Sequence, residues 1–111
     1  MTVNDVCKKI NARVVCGNLD KEFCGVYVGD LLSRAMSRVE SGNLWITIMS
    51  NLNVVAVATL TEPAAVILAE GVELNEEEIS KACENDITVV SSPLSAYEIC
   101  LAVSACSENK I

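Results

Sequence analysis

Residues 44–71, LWITIMSNLNVVAVATLTEPAAVILAEG, constrain the fold more than any other stretch of the chain. They hold the single Trp, one of the two Pro, and no Lys or Arg. Two apolar runs, 44–49 and 64–69, are short and bounded by turn-forming residues. Runs of that length suit strands covered on both faces. Such strands need helices on each side, which points to a layered α/β fold. Between the runs lie a polar corner, Ser50-Asn51-Leu52-Asn53, and a third apolar run, 54–60. The valines of that third run favour a strand, reached by a hairpin through the corner. A buried helix capped by Asn53 fits equally well, and periodicity does not choose between them.

Composition narrows the class. With 51% hydrophobic but only 4% aromatic residues, the core must be built from Val, Ile, Leu, Ala and Cys. That content excludes a disordered chain. At 111 residues one domain is expected, burying roughly two-thirds of its unfolded surface. The net charge of −7 argues against a nucleic-acid binder, which needs a basic face to displace counterions. Apart from Lys81 and Lys110, every basic residue lies at or before Arg38, while Glu73, Glu76, Glu77 and Glu78 cluster in the second half. There is no His, which removes imidazole both as general base and as metal ligand. No apolar run is long enough to span a bilayer and no secretory leader is visible, so the expected location is the cytoplasm. The six cysteines, Cys7, Cys16, Cys24, Cys83, Cys100 and Cys106, form no C-x-x-C pair and are expected to be reduced.

Along the chain, residues 2–10 read as a helix capped by Thr2 or Asn4, with Val3, Val6, Cys7 and Ile10 on one face. Residues 13–16 and 23–28 read as strands. Cys16-Gly17 and Cys24-Gly25 frame the loop between them. Asp30 is expected to cap a helix whose buried stripe is Leu31, Leu32, Ala35, Met36 and Val39, with Arg34 and Arg38 exposed. Asn75 and Glu78 make a capping-box pattern, followed by inward Ile79, Ala82 and Cys83, and Asp86 closes that helix. Residues 87–90 read as a buried strand. The last helix starts either at Pro93 or after Ser95, with Glu98 completing a box and Leu94, Ile99, Cys100 and Val103 inward. Residues 107–111 read as a frayed tail. The expected architecture is a three-layer α/β sandwich, a mostly parallel sheet flanked by helices, with right-handed crossovers.

In such a sheet, ligands collect beyond the carboxyl ends of the strands. This predicts one candidate site from Thr47, Ser50, Asn51, Asn53, Glu70, Gly71, Ser92 and Ser95. Helix caps and turns select the same Ser and Asn residues, and a phosphate ligand would find no nearby cation in this stretch. Two lesser schemes are available. Glu62 and Glu70 could act as an acid–base pair. Cys16 and Cys24 could supply two thiolates to a metal or redox centre, and a dimer would bring four. No phosphate-binding loop, dinucleotide fingerprint or nucleophile elbow occurs.

Several segments together resemble the DRTGG domain: Val28-Gly29-Asp30-Leu31-Leu32 with Ala35-Met36, Trp45-Ile46-Thr47, Asn53-Val54-Val55-Ala56-Val57-Ala58, and Ser95-Ala96-Tyr97-Glu98. They span roughly residues 11–104. The pentapeptide that names the family is absent, and Leu68-Ala69-Glu70-Gly71 keeps only the last glycine of the family's Leu-Thr-Gly-Gly. The resemblance implies that run 54–60 is a helix. It also implies a regulatory or dimer-forming part, like those attached to HPr kinase/phosphorylase and to CBS-type pyrophosphatases, with no catalysis of its own. The expected function is therefore a non-catalytic module that forms a homodimer and binds a partner protein or small ligand, with no cofactor or metal. An anionic-metabolite or nucleotide sensor is the alternative, and a cysteine-based redox or metal subunit the weaker one. The expected dimer surface is the uncharged helix Asn53–Leu60 with the neighbouring Thr61-Glu62-Pro63, and within it Val54, Val55, Val57, Ala58 and Glu62, because a neutral run disfavours water.

Overall fold

The structure, a computed structural model, describes residues 1–106; the tail expected to fray lies outside them. Ten elements follow in order: α1 (Val3–Lys9), β1 (Arg13–Cys16), β2 (Val26–Val28), α2 (Leu32–Arg38), β3 (Leu44–Thr47), α3 (Leu52–Thr61), β4 (Ala65–Leu68), α4 (Glu76–Glu84), β5 (Val89–Ser91) and α5 (Ala96–Cys106). The five strands form one sheet in the order β1-β5-β4-β3-β2. β2 to β5 are parallel. β1 joins β5 antiparallel, with an irregularity between Val14 and Cys16.

Two apolar cores lie on opposite faces of the sheet. One joins Trp45, Val66, Leu68 and Val89 to Ala35 of α2 and its C-cap Val39, to Val54, Val55, Val57 and Ala58 of α3, and to Ala82 of α4. The other joins Leu44, Ile46, Ile67 and Val90 to α1 and α5 through Val3, Val6, Ile10, Ile99 and Val103. The layers are therefore α2-α3-α4, sheet, and α1-α5. All four residues of β3 and of β4 are buried, as their unbroken apolar runs require for strands covered on both sides.

Capping chemistry sets the helix starts. Thr2 and Asp5 exchange backbone–side-chain bonds at α1, as do Asn75 and Glu78 at α4. Ser95 and Glu98 do the same at 2.9 and 3.2 Å, so α5 begins after Ser95 and not at Pro93. The third apolar run is helix, as the family resemblance implies. Its cap is Asn51 instead of Asn53: the Asn51 side-chain oxygen Oδ1 accepts from Asn53 N and Val54 N.

Four local expectations are corrected. The strand placed at 23–28 begins only at Val26, because Gly25 takes φ +84° and breaks the extended run. Asp30 does not cap α2. Its carboxylate instead accepts from Thr47 Oγ1 at 2.8 Å and Ile48 N at 2.9 Å, tying the ends of β2 and β3 together. The buried stripe of α2 shrinks to Ala35 and Val39 with Leu32 partly covered, while Leu31 (64% exposed) and Met36 (49%) face solvent. Cys83, expected in the core, is exposed.

Candidate functional site

The parallel register aligns Thr47 with Leu68, and Leu68 with Ser91. The corner at 50–53, the Glu70-Gly71 turn and the Ser92–Ser95 segment thus share the carboxyl edge of the sheet, as predicted. Their polar groups are largely engaged with the chain itself. Thr47 is buried, donates to Asp30 and accepts from Met49 N. Asn51 caps α3 and Ser95 belongs to a capping box. Ser92 is completely buried; its hydroxyl donates to Ile10 O at 2.6 Å and accepts from Leu94 N at 3.1 Å.

The closure has a topological meaning. The chain leaves β4 for α4 on one face and leaves β5 for α5 on the other. A crevice opens where adjacent strands send their connections to opposite faces. Here the chain fills that position. Glu70 N donates to Leu94 O and Gly71 N to Ser92 O, both at 2.8 Å, and Ser92 N donates to Leu68 O at 2.9 Å. Glu70 and Gly71 both take positive φ to make this turn. Of the eight predicted residues, Ser50, Asn53, Glu70 and Gly71 remain exposed. No basic side chain occurs among residues 44–71 to offset a ligand's negative charge.

The lesser schemes are corrected by the sheet. Glu62 closes α3 before β4 begins, whereas Glu70 follows its end. The four residues of β4 alone hold them roughly 13 Å apart at about 3.3 Å per residue, too far to act as a pair. Cys16 ends β1 and Cys24 precedes β2, at opposite edges of the sheet. Four strand spacings put them on the order of 19 Å apart. The neighbour of Cys16 is Cys83: burial, then the Cys83 thiol, pushes the Cys16 thiol up to about 11, and its Sγ donates to Ile87 O at 3.2 Å. Burial also raises Cys7 and Cys100. Among the described residues no three His, Cys, Asp or Glu side chains come together as metal ligands would. No helix among them is long and apolar enough to cross a membrane.

The predicted dimer residues need a different correction. Val54, Val55, Val57 and Ala58 are all buried in the chain's own core, against the sheet and the neighbouring helices. A second copy could touch only the edges of Val55 and Val57, which line the grooves beside this helix. Glu62 stays exposed in the left-handed C-cap of α3. Sequence reasoning chose this helix but named its inward side, and what it missed is which side stays open. Leu52, Ala56 and Leu60, four residues apart, form a ridge along its exposed side, with Leu60 70% exposed. A groove of about 390 Å³, lined by Leu32, Ser33, Met36, Asn53, Ala56 and Val57, separates the ridge from α2. Another of about 220 Å³, lined by Leu52, Val55, Ala56, Thr59, Lys81 and Asn85, separates it from α4. A signal was present: residues 52–61 carry no charge and are apolar almost all round, yet a helix lying on one sheet can bury only about half its circumference.

With this fold and these surfaces in place, comparison with known families is informative. Residues 5–106 match the DRTGG domain, and the chain belongs to that family. A similar solved structure is that of the CBS and DRTGG domains of the regulatory region of Clostridium perfringens pyrophosphatase, complexed with the activator diadenosine tetraphosphate. The two share the fold with a TM-score of 0.75 at 16% identity, over 92% of this chain and 45% of the other. This chain therefore spans less than half of the pyrophosphatase regulatory chain. Among curated proteins no significant sequence match is found.

Proposed function

We propose that this DRTGG domain is a non-catalytic regulatory and assembly module that works through self-association, using the outer face of α3 and its two flanking grooves. The observation that carries the reading is the uncharged ridge of Leu52, Ala56 and Leu60, faced across a groove by Met36 of α2. Scattered exposed leucines are ordinary, but an apolar ridge between two grooves is the shape of an interface. Ridge and groove on one surface also let two copies of the same face interlock. Sedimentation equilibrium from low to high micromolar concentration tests the reading; a monomer throughout that range rejects it.

A second reading, a sensor for a nucleotide or other anionic metabolite, is favoured by one observation: the related pyrophosphatase regulatory region was solved with a dinucleotide activator. In this chain such a ligand would have only Ser50, Asn53, Glu70 and Gly71 at the strand ends. A thermal-shift titration with diadenosine tetraphosphate, with and without magnesium, tests it. An unchanged melting temperature in both series dismisses that ligand.

A further inference from the structure

An irregularity in β1 turns a thiol toward α4. Side chains of a regular strand alternate between faces, so Cys16 would share the exposed side of Val14. The register slips between Val14 and Cys16, and Val15 and Cys16 both pack into the core under the α2-α3-α4 layer. There Cys16 meets the last turn of α4. Its Sγ donates to Ile87 O at 3.2 Å, Ile87 N donates to Ala82 O at 2.9 Å, and Asp86 N donates to Cys83 O at 3.2 Å. One tight corner therefore holds both cysteines, and their thiols hydrogen-bond each other. The corner is braced on either side. Arg13, at the start of β1, pairs with Glu73 ahead of α4 at 2.7 Å, and Asn18 N donates to Thr88 Oγ1 at 3.0 Å.

The pair is asymmetric. Cys16 is buried and Cys83 exposed, both as free thiols. Burial keeps the Cys16 thiol protonated, so a reagent in solution meets Cys83 first. We propose that Cys16 and Cys83 form a reversible dithiol–disulfide site, with a low-molecular-weight disulfide as oxidant, that staples the end of β1 to the end of α4. The Cys83 thiolate attacks one sulfur of the reagent; the reagent's S–S bond breaks, and one small thiol leaves with the electron pair and takes up the Cys83 proton. The Cys16 thiolate then attacks Cys83 Sγ and expels the second small thiol, which takes up the Cys16 proton. Two protein thiols are oxidised and one small disulfide is reduced to two thiols. Closure gives up the S–H bond to Ile87 O, a weak one. The site stands apart from the self-association reading.

The test uses the intact, reduced chain. It is incubated with excess oxidised glutathione at mildly alkaline pH and quenched with acid. Remaining thiols are alkylated under denaturing conditions, and the protein is digested without reductant for mass spectrometry. The expected product is a peptide pair joining Cys16 to Cys83, returned to two thiols by dithiothreitol. The closed form should melt about 10 °C or more above the reduced form, because the staple closes a long loop. Cys83→Ser, at an exposed position, should leave Cys16 a free thiol. Cys16→Ala should trap Cys83 as its glutathione mixed disulfide, with far-UV circular dichroism checking that both variants fold. Recovery of wild-type Cys16 in alkylated form, whatever the state of Cys83, overturns the proposal, as does a Cys16 disulfide that forms equally with Cys24.

Discussion

Replacing Ser92 by alanine separates a binding-site hydroxyl from a structural one. Ser92 has no exposed surface, and its hydroxyl serves two backbone groups: Ile10 O at 2.6 Å and Leu94 N at 3.1 Å. The first bond ties the end of α1 to the end of β5, across 82 residues of sequence. The second holds the turn that leads into α5. Alanine removes both bonds, each with a net contribution of about 1 kcal/mol, and leaves the Ile10 carbonyl buried and unpaired, which adds a cost of similar size. The expected loss is about 2–3 kcal/mol, or roughly 10 °C in melting temperature for a domain of this size. Ser50, exposed on the same sheet edge, is the control; Ser50→Ala should stay within about 0.5 kcal/mol. Urea unfolding followed by the fluorescence of Trp45, the single buried Trp, supplies the assay. Both variants are compared at one protein concentration, because association adds to apparent stability. A Ser92→Ala midpoint indistinguishable from that of Ser50→Ala would refute the argument that the chain itself fills the β4–β5 crevice.

Two further predictions concern the first part of the chain. Gly17 takes φ +100°, and a Cβ there would lie 2.4 Å from both Cα and Oγ1 of Thr88; Gly17→Ala should therefore cost more than about 2 kcal/mol in the same unfolding assay, and a smaller loss would mean the β1–β5 edge is looser than drawn. The Cys16 thiol is raised from 9.0 to about 11, first by burial and then by Cys83, so the folded state favours the protonated form. Its contribution to stability should be intact below pH 9 and fade as pH rises through 11. Iodoacetamide at mildly alkaline pH should label exposed Cys24 and Cys83 well before Cys16, as read by peptide mass spectrometry; early labelling of Cys16 contradicts its placement.

Much of the fold was legible because its signals are local. The runs at β3 and β4 sit in strands buried on both faces, and Asn75 with Glu78 makes the predicted box. Patterns that depend on partners were harder to read. Periodicity places Leu31 and Met36 beside Ala35, but it does not say that α2 lies at the edge of its layer with half its stripe uncovered. Likewise the neutrality of α3 marks a helix with two apolar sides without saying which one the sheet takes. Val54, Val55, Val57 and Ala58 face the core and Leu52, Ala56 and Leu60 do not. The strand-end residues were found at the predicted edge, but Ser and Asn serve caps and latches as readily as ligands. Only the hydrogen bonds of Ser92, Asn51 and Thr47 reveal that use. The role of Asp30 was out of reach for a similar reason, since its partners at the end of β3 and just past it are 17 and 18 residues away.

The central claim, self-association through the exposed ridge of α3, is tested most directly by one comparison in sedimentation equilibrium: wild type against Leu52→Glu/Leu60→Glu. Both side chains point away from the chain's own core, so the variant should keep its far-UV circular dichroism. The account predicts a concentration-dependent dimer for the wild type and a folded monomer for the variant. A folded variant that dimerises as strongly as the wild type would contradict it.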